Sequence, residues 1–192
     1  MLTGERNSLR RHKMTKVAIA KSNRPVKTLK EVEKLVKKSI DLLGGIKAFI
    51  KPGDTVFIKP SLLLPKSADT AVITNPQVVQ AVVDIVLKEG KAGKVMVGDI
   101  PRLKLRARDV LKETGMEKAA MEAGAEIKYL DEDPQIEVEI PGGVVMAKTL
   151  LPKTILSVDK IIYIPKLKTH YIAKISGAVK ACLLYTSDAA DE

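Results

Sequence analysis

The chain has 192 residues and a formal net charge of +10, and hydrophobic residues make up 45% of it. This length and composition fit one globular domain with its own core, and they exclude a disordered or fibrous protein. No apolar run approaches the roughly 20 residues of a membrane-spanning helix, and no apolar signal segment follows the basic N-terminus. We therefore expect a cytoplasmic protein without a membrane partner.

The excess of basic charge is the feature that favours a nucleic-acid partner. Most of it is lysine dispersed among glutamate along predicted helices, which is typical of a solvated helix face. Aromatic residues make up only 3% of the chain and tryptophan is absent, so few side chains can stack on single-stranded bases. Nucleic acid is therefore the less favoured partner, and a basic nucleic-acid binder stays as an alternative.

Hydrophobic periodicity predicts strands that alternate with helices along the first two thirds of the chain. In chain order, the predicted elements are a strand at 16–21, a helix at 29–43, a strand at 55–60, a loop at 61–74, a helix that Asn75 caps and Gly90 ends, a strand at 94–99, helices near 107–112 and 117–123, and a strand at 126–131.

The remaining elements are a hairpin and a last strand. Residues 135–150 alternate with period two about Pro141, Gly142 and Gly143, which predicts a β-hairpin. The last strand lies within "KIIYIPKLKTH" and runs into a basic loop. Together the elements predict an α/β fold: an open, layered, mostly parallel sheet with helices on both faces and an antiparallel hairpin at an edge.

Polar and charged side chains follow three of the predicted strands. In open α/β sheets, ligands bind beyond the carboxyl ends of the strands. The residues at these ends are Lys59 and Ser61, then Asp99, and finally Lys166, Lys168 and His170. Such a set suits an anionic ligand, because lysines supply charge, a carboxylate orients a hydroxyl or a metal, and histidine moves a proton.

Each of these residues also has an ordinary structural interpretation. A lysine after a strand is usually solvated, and an aspartate there can cap the next segment. A single histidine is more often structural than catalytic. Phosphate-loop, dinucleotide and nucleophile-elbow motifs are absent from the sequence. The one cysteine, Cys182, excludes an internal disulfide and a multi-cysteine metal site, so we predict no metal site in this chain.

The motifs "KVAIAKS", "VFIKPSLLL", "TNPQVVQAVVDIVLKEG", "KVMVGD", "PKLKTH" and "SGAVK" together resemble the family called domain of unknown function 362. The resemblance covers roughly residues 14–181, and its late part is the most specific. Ser61 and Ser176 replace the asparagine and threonine that are usual in the family, and both keep a polar group. The matched positions are Lys59, Asp99, Lys166, Lys168, His170 and Lys180.

The resemblance implies a site but no settled reaction. We take His170 and Lys168 as catalytic candidates, and Lys59, Ser61, Asp99, Lys166 and Lys180 as ligand-binding candidates. Many family members carry a four-cysteine iron–sulfur segment after this domain. The resemblance therefore implies a redox or iron–sulfur-associated enzyme, with a 4Fe-4S cluster outside this chain and the following segment as a partner. A non-enzymatic docking domain for such a module is the alternative.

The two ends of the chain differ from its body. Residues 1–13 have no periodicity and precede a second start methionine, Met14, which predicts a disordered segment or a mis-assigned start. Residues 182–192, "CLLYTSDAADE", read like a translated sequencing adapter. We therefore expect residues 14–181 to be a truncated family domain and residues 182–192 to be an artefactual tail.

Overall fold

The computed structural model describes residues 16–101, 104–142, 147–170 and 174–178. The described helices are α1 (Leu29–Asp41), α2 (Pro76–Lys88), α3 (Ala107–Glu113), α4 (Met116–Glu122) and α5 (Lys153–Leu156). The described strands are β1 (Thr55–Pro60), β2 (Lys94–Asp99), β3 (Glu126–Tyr129), β4 (Gln135–Glu139), β5 (Lys148–Pro152), β6 (Lys160–Ile164), β7 (Lys168–His170) and β8 (Lys174–Ser176). Within these ranges, no helix combines the length and the apolar character that crossing a membrane requires.

Four strands form one parallel sheet in the order β3-β2-β1-β6. The other strands form two small antiparallel sheets, β4 with β5 and β7 with β8. Because the four strands of the main sheet are parallel, their carboxyl ends lie along a single edge. The predicted α/β fold with a mostly parallel sheet is confirmed.

Apolar side chains cover both faces of the main sheet. Along β1, Val56 and Ile58 face one side and Phe57 faces the other. The larger core lies on the first side, where buried residues of α2, α3 and α4 pack with partly buried residues of α1. The smaller core surrounds Phe57 and includes Ile155 of α5. Helices therefore lie on both faces, as the sequence predicts.

Capping residues set the starts of α1 and α2. The Thr28 hydroxyl accepts a hydrogen bond from the Glu31 backbone N–H, and the Glu31 carboxylate accepts one from the Thr28 N–H, which is a capping box. Asn75 caps α2, and Pro76 occupies its first position, where the missing N–H costs nothing. These local signals explain why both helix starts were predictable.

The predicted strand at 16–21 is not formed in the structure. These residues belong to no sheet, and Val17 and Ile19 are each 81% exposed. An alternating sequence can form a strand only against a partner, and no described strand pairs with this segment.

The predicted hairpin forms, but it stands apart from the main sheet. Strands β4 and β5 pair with each other alone and do not extend an edge of the parallel sheet. The basic segment after β6, predicted to be a loop, instead forms the short antiparallel pair of β7 and β8.

Gly98 allows β2 and β3 to approach closely, because an added methyl group would collide with the Lys128 carbonyl. We expect Gly98→Ala to lower the free energy of unfolding by about 1–3 kcal/mol, since overpacking forces the backbone to shift. Gly177→Ala is the control, because its methyl group would only touch Leu167 and should change stability by less than about 0.5 kcal/mol. Urea denaturation measures the free energy of unfolding of both variants. Equal values for Gly98→Ala and Gly177→Ala would contradict the close approach of β2 and β3.

Candidate functional site

The carboxyl edge of the main sheet brings together most of the predicted site residues. In the ladder between β1 and β6, Lys59 pairs with Tyr163 and Pro60 pairs with Ile164. On the other side of β1, β2 ends in Asp99. Ser61 follows β1 directly, and Lys166 is the second residue after the end of β6. The three strand ends that the sequence singled out are therefore neighbours.

A buried ion pair joins two of these strand ends. The Lys59 ammonium donates a hydrogen bond to the Asp99 carboxylate, and the two residues are 3% and 4% exposed. The second Asp99 oxygen accepts the Leu62 N–H at 2.8 Å. Each of the two charges is thus neutralised by the other, and Asp99 also holds the start of the loop that follows β1. The buried pair thus holds together two of the strand ends on which the candidate site lies.

Burial is the main influence on the Asp99 carboxyl. It raises the pKa of this group above its ordinary value, because a charged carboxylate loses its hydration inside the protein. The Lys59 ammonium acts in the opposite direction on the pKa, as do the N–H groups of Leu62 and Ile100. A carboxyl whose pKa is shifted by burial and by one charged partner, next to strand ends, is a common feature of functional sites.

Thr74 is a buried residue that the sequence analysis missed as part of the site. Its hydroxyl donates to the Ile164 carbonyl at 2.6 Å and accepts the Ser61 N–H at 2.9 Å. Its own N–H donates to the Ser61 carbonyl at 3.0 Å. Thr74 therefore ties the end of β1 to the end of β6. The signal that could have found it is its place in "TNP", just before the α2 cap.

Ser61 and Lys168 connect the basic segment to the same loop. The Ser61 hydroxyl accepts the Lys166 N–H at 3.2 Å. The Lys168 ammonium donates to the Val72 carbonyl at 2.7 Å. These two contacts fix the segment that follows β6 against the loop at 61–74.

The remaining predicted residues are His170, Lys166 and Lys180. His170 ends β7, is partly buried, and pairs in register with Lys174 of β8. Lys166 is partly buried, and its ammonium forms no ion pair with any residue that the structure describes. Lys180 lies outside the described residues.

Metal and cluster ligands are not assembled in the part of the chain that the structure describes. It contains no group of three or more histidine, cysteine, aspartate or glutamate side chains placed to hold a metal ion. The sequence has one cysteine, so this chain does not fit a cluster with four cysteine ligands.

Residues 56–186 match the family model described as Domain of unknown function (DUF362). The chain belongs to this family. It is also 32% identical over 147 residues to a thylakoid-associated protein from Synechocystis sp.. This alignment covers 73% of the chain and 42% of the relative, so the chain spans less than half the length of that protein. No solved structure matches the chain.

The family match confirms the resemblance drawn from the motifs. The matched range contains every residue of the candidate site, from Lys59 to His170, and it also contains Lys180. The buried pair, Thr74 and the basic segment after β6 thus all belong to the matched region.

Removing one charge of the buried pair should be costly. We expect Lys59→Met and Asp99→Asn each to lower the free energy of unfolding by about 3–5 kcal/mol, because the other charge is left buried alone. The double variant should lose less than the sum of the two single losses.

The control for this prediction is Lys88→Met, which removes an exposed lysine paired with Asp84 within α2. It should cost less than about 1 kcal/mol. Thermal and urea unfolding measure all four variants. A loss in Lys59→Met no larger than that in Lys88→Met would show that the buried pair does not support the fold.

Thr74→Val keeps the side-chain shape but removes the hydroxyl. We expect a loss of about 1–3 kcal/mol in the free energy of unfolding, because Ile164 and Ser61 lose their hydrogen-bond partner. Thr74→Ser should retain most of the stability. Thr70→Val is the matched control, since its hydroxyl bonds only to the exposed Ser67 carbonyl. Similar losses in the two valine variants would argue against a special role for Thr74.

Proposed function

We propose that this DUF362 domain binds an anionic small molecule at the carboxyl ends of its parallel strands. The observation that carries the proposal is the adjacency of β2, β1 and β6, whose ends bear Asp99, Lys59 and Lys166. Ligands of open α/β sheets bind in the crevice outside such strand ends. The family match supplies no reaction, so the chemistry of the ligand is argued from the residues alone.

Charge is the first argument for an anion. Asp99 neutralises Lys59, so the basic residues after β6 are left to set the potential at this edge. Lys166, Lys168 and His170 all lie within this short segment. Lysines grouped at a crevice with low-dielectric walls attract anions over several ångströms and raise their local concentration.

Hydrogen-bonding capacity is the second argument. The Ser61 hydroxyl accepts the Lys166 N–H, and a hydroxyl in that position keeps its own proton to donate. Lys166 is held at its backbone by this contact, while its ammonium forms no ion pair within the described residues. Because the backbone at Lys166 is already held in place, less conformational entropy is lost when its side chain binds an anion.

The buried residues have a positioning role in this proposal. The Lys59–Asp99 pair holds Leu62, and Thr74 holds Ser61 and Ile164, so both ends of the loop at 61–74 are fixed to the strand ends. His170 is the candidate for proton transfer, because an imidazole nitrogen can accept or donate a proton. Lys168 is the second candidate. A redox or iron–sulfur-associated reaction is proposed from the resemblance to the family.

The test is a calorimetric titration of the full chain at low salt with inorganic phosphate, pyrophosphate and citrate as probes. We expect binding of at least one probe, and a roughly tenfold weaker Kd in Lys166→Ala, since a charged contact contributes about 1.4 kcal/mol or more. Lys168→Ala and His170→Ala should also weaken binding.

Lys112→Ala is the matched control, because Lys112 is an exposed lysine in the last turn of α3, away from the strand ends. It should bind the probe as the wild type does. Equal affinities in Lys166→Ala and Lys112→Ala, or no binding of any probe by the wild type, would contradict the proposal.

A further inference from the structure

A groove of about 670 Å³ lies between β6 and the helices α1 and α2. Its walls are α1, the segment at 46–50, the first turns of α2 and all of β6. Among the described residues that line it, Ser39, Lys160 and Tyr163 carry polar side chains, and none carries a carboxylate. The Ser39 hydroxyl donates to the Val36 carbonyl of its own helix at 2.7 Å, so its proton is already used. The groove is therefore apolar along most of its length.

The size and the lining of this groove are those of a small-molecule site. Ligand pockets in proteins measure about 300–1,000 Å³ and are lined mainly by apolar side chains. Phe49 and Ile161, which line the groove, are 47% and 37% exposed, so apolar surface here is open to solvent. A contiguous exposed apolar patch is the mark of a ligand groove or an interface, whereas single exposed apolar residues are common. The concave shape favours a ligand that contains hydrocarbon.

The carboxyl end of β6 brings this groove to the anion site proposed above. Ile164 is the last residue of β6 and lines the groove, and its carbonyl accepts the Thr74 hydroxyl at 2.6 Å. Two extended residues span at most about 7 Å, so the Lys166 Cα lies within that distance of the Ile164 Cα. The Ser61 hydroxyl accepts the Lys166 N–H at 3.2 Å. The groove therefore ends next to a lysine whose backbone is held in place.

We propose that the ligand of this domain is an amphiphilic anion, with its hydrocarbon chain in the groove and its carboxylate or phosphate group at the Lys166 end. This inference rests on the proposed function, which it narrows from any small anion to one that carries an apolar chain. The groove supplies apolar contact and no negative charge, and the basic segment after β6 supplies the opposite charge to the ligand. Shape and charge thus select the two parts of one molecule.

The groove has a lysine near each end, and burial distinguishes the two. Lys160 begins β6 and is exposed, so water weakens its attraction for an anion. Lys166 is partly buried, and Lys168 and His170 follow it in the same short segment. The anionic group therefore belongs at the carboxyl end of β6, and the chain extends from there toward the amino end of the strand.

Titration of the full chain with decanoate, acetate and decanol tests the proposal, because these probes carry both parts of the ligand, the charge alone and the chain alone. Each buried methylene group strengthens binding about fourfold, so we expect decanoate to bind at least about a hundredfold more tightly than acetate. Lys166→Ala should weaken decanoate binding about tenfold and leave decanol binding unchanged. Lys160→Ala should weaken decanoate binding by less than about twofold.

Phe49→Ser removes an apolar side chain from the groove. It should weaken decanoate binding about three- to tenfold without changing the binding of inorganic phosphate. Leu42→Ser is the matched control, because Leu42 is also an exposed apolar residue, at 58%, and lies outside the groove lining. In the wild type, decanoate should shift the methyl resonances of Val36, Ile40 and Ile162 in nuclear magnetic resonance spectra. These shifts decide the question if the Phe49→Ser chain does not fold.

The outcomes separate this inference from the proposed function. Phosphate binding that depends on Lys166, together with decanoate binding no tighter than acetate binding, would overturn the inference and leave the anion site standing. Decanoate binding that is weakened by Lys160→Ala and unaffected by Lys166→Ala would overturn the placement of the charged group. Equal losses in Phe49→Ser and Leu42→Ser, or methyl shifts that follow protein concentration instead of decanoate, would show that the chain does not occupy the groove.

Discussion

The candidate site depends on the buried pair of Lys59 and Asp99. The two residues lie on adjacent parallel strands, and both are almost completely removed from solvent. Two charges at such a depth persist only when each neutralises the other and their remaining hydrogen-bonding capacity is used. The Leu62 N–H provides one such bond, so the pair also fixes the loop that leaves β1.

Further hydrogen bonds connect the loop after β1 to the end of β6 and to the basic segment that follows it. Thr74 bridges Ser61 and Ile164, and Ser61 in turn holds the Lys166 backbone. Lys168 reaches back to the Val72 carbonyl of the same loop. The three strand ends therefore form one hydrogen-bonded unit, and the basic segment after β6 is attached to it at two points. In the proposed function, these contacts hold the short run of lysines in place for an anion.

The sequence predicted where helices and strands lie better than it predicted which of their residues contact each other. The apolar stripe of α1 and the Asn75–Pro76 start of α2 are local signals, so both helices were predictable within a few residues. It also predicted that Lys59 and Asp99 approach one edge, because parallel strands share their carboxyl ends. The ion pair between them was not predictable, since side-chain pairing depends on tertiary register. Thr74 was missed because its place in "TNP" marks the start of a helix but does not show which strand ends its hydroxyl bridges.

The central claim is that an anion binds where β1, β2 and β6 end. The most direct measurement is a titration of the full, nitrogen-15-labelled chain with inorganic phosphate, followed by the amide resonances in nuclear magnetic resonance spectra. The account predicts saturable shifts that concentrate at Ser61, Leu62, Thr74 and Lys166. Shifts spread over the exposed lysines of α1 and α2, or no shift at the strand ends, would contradict it.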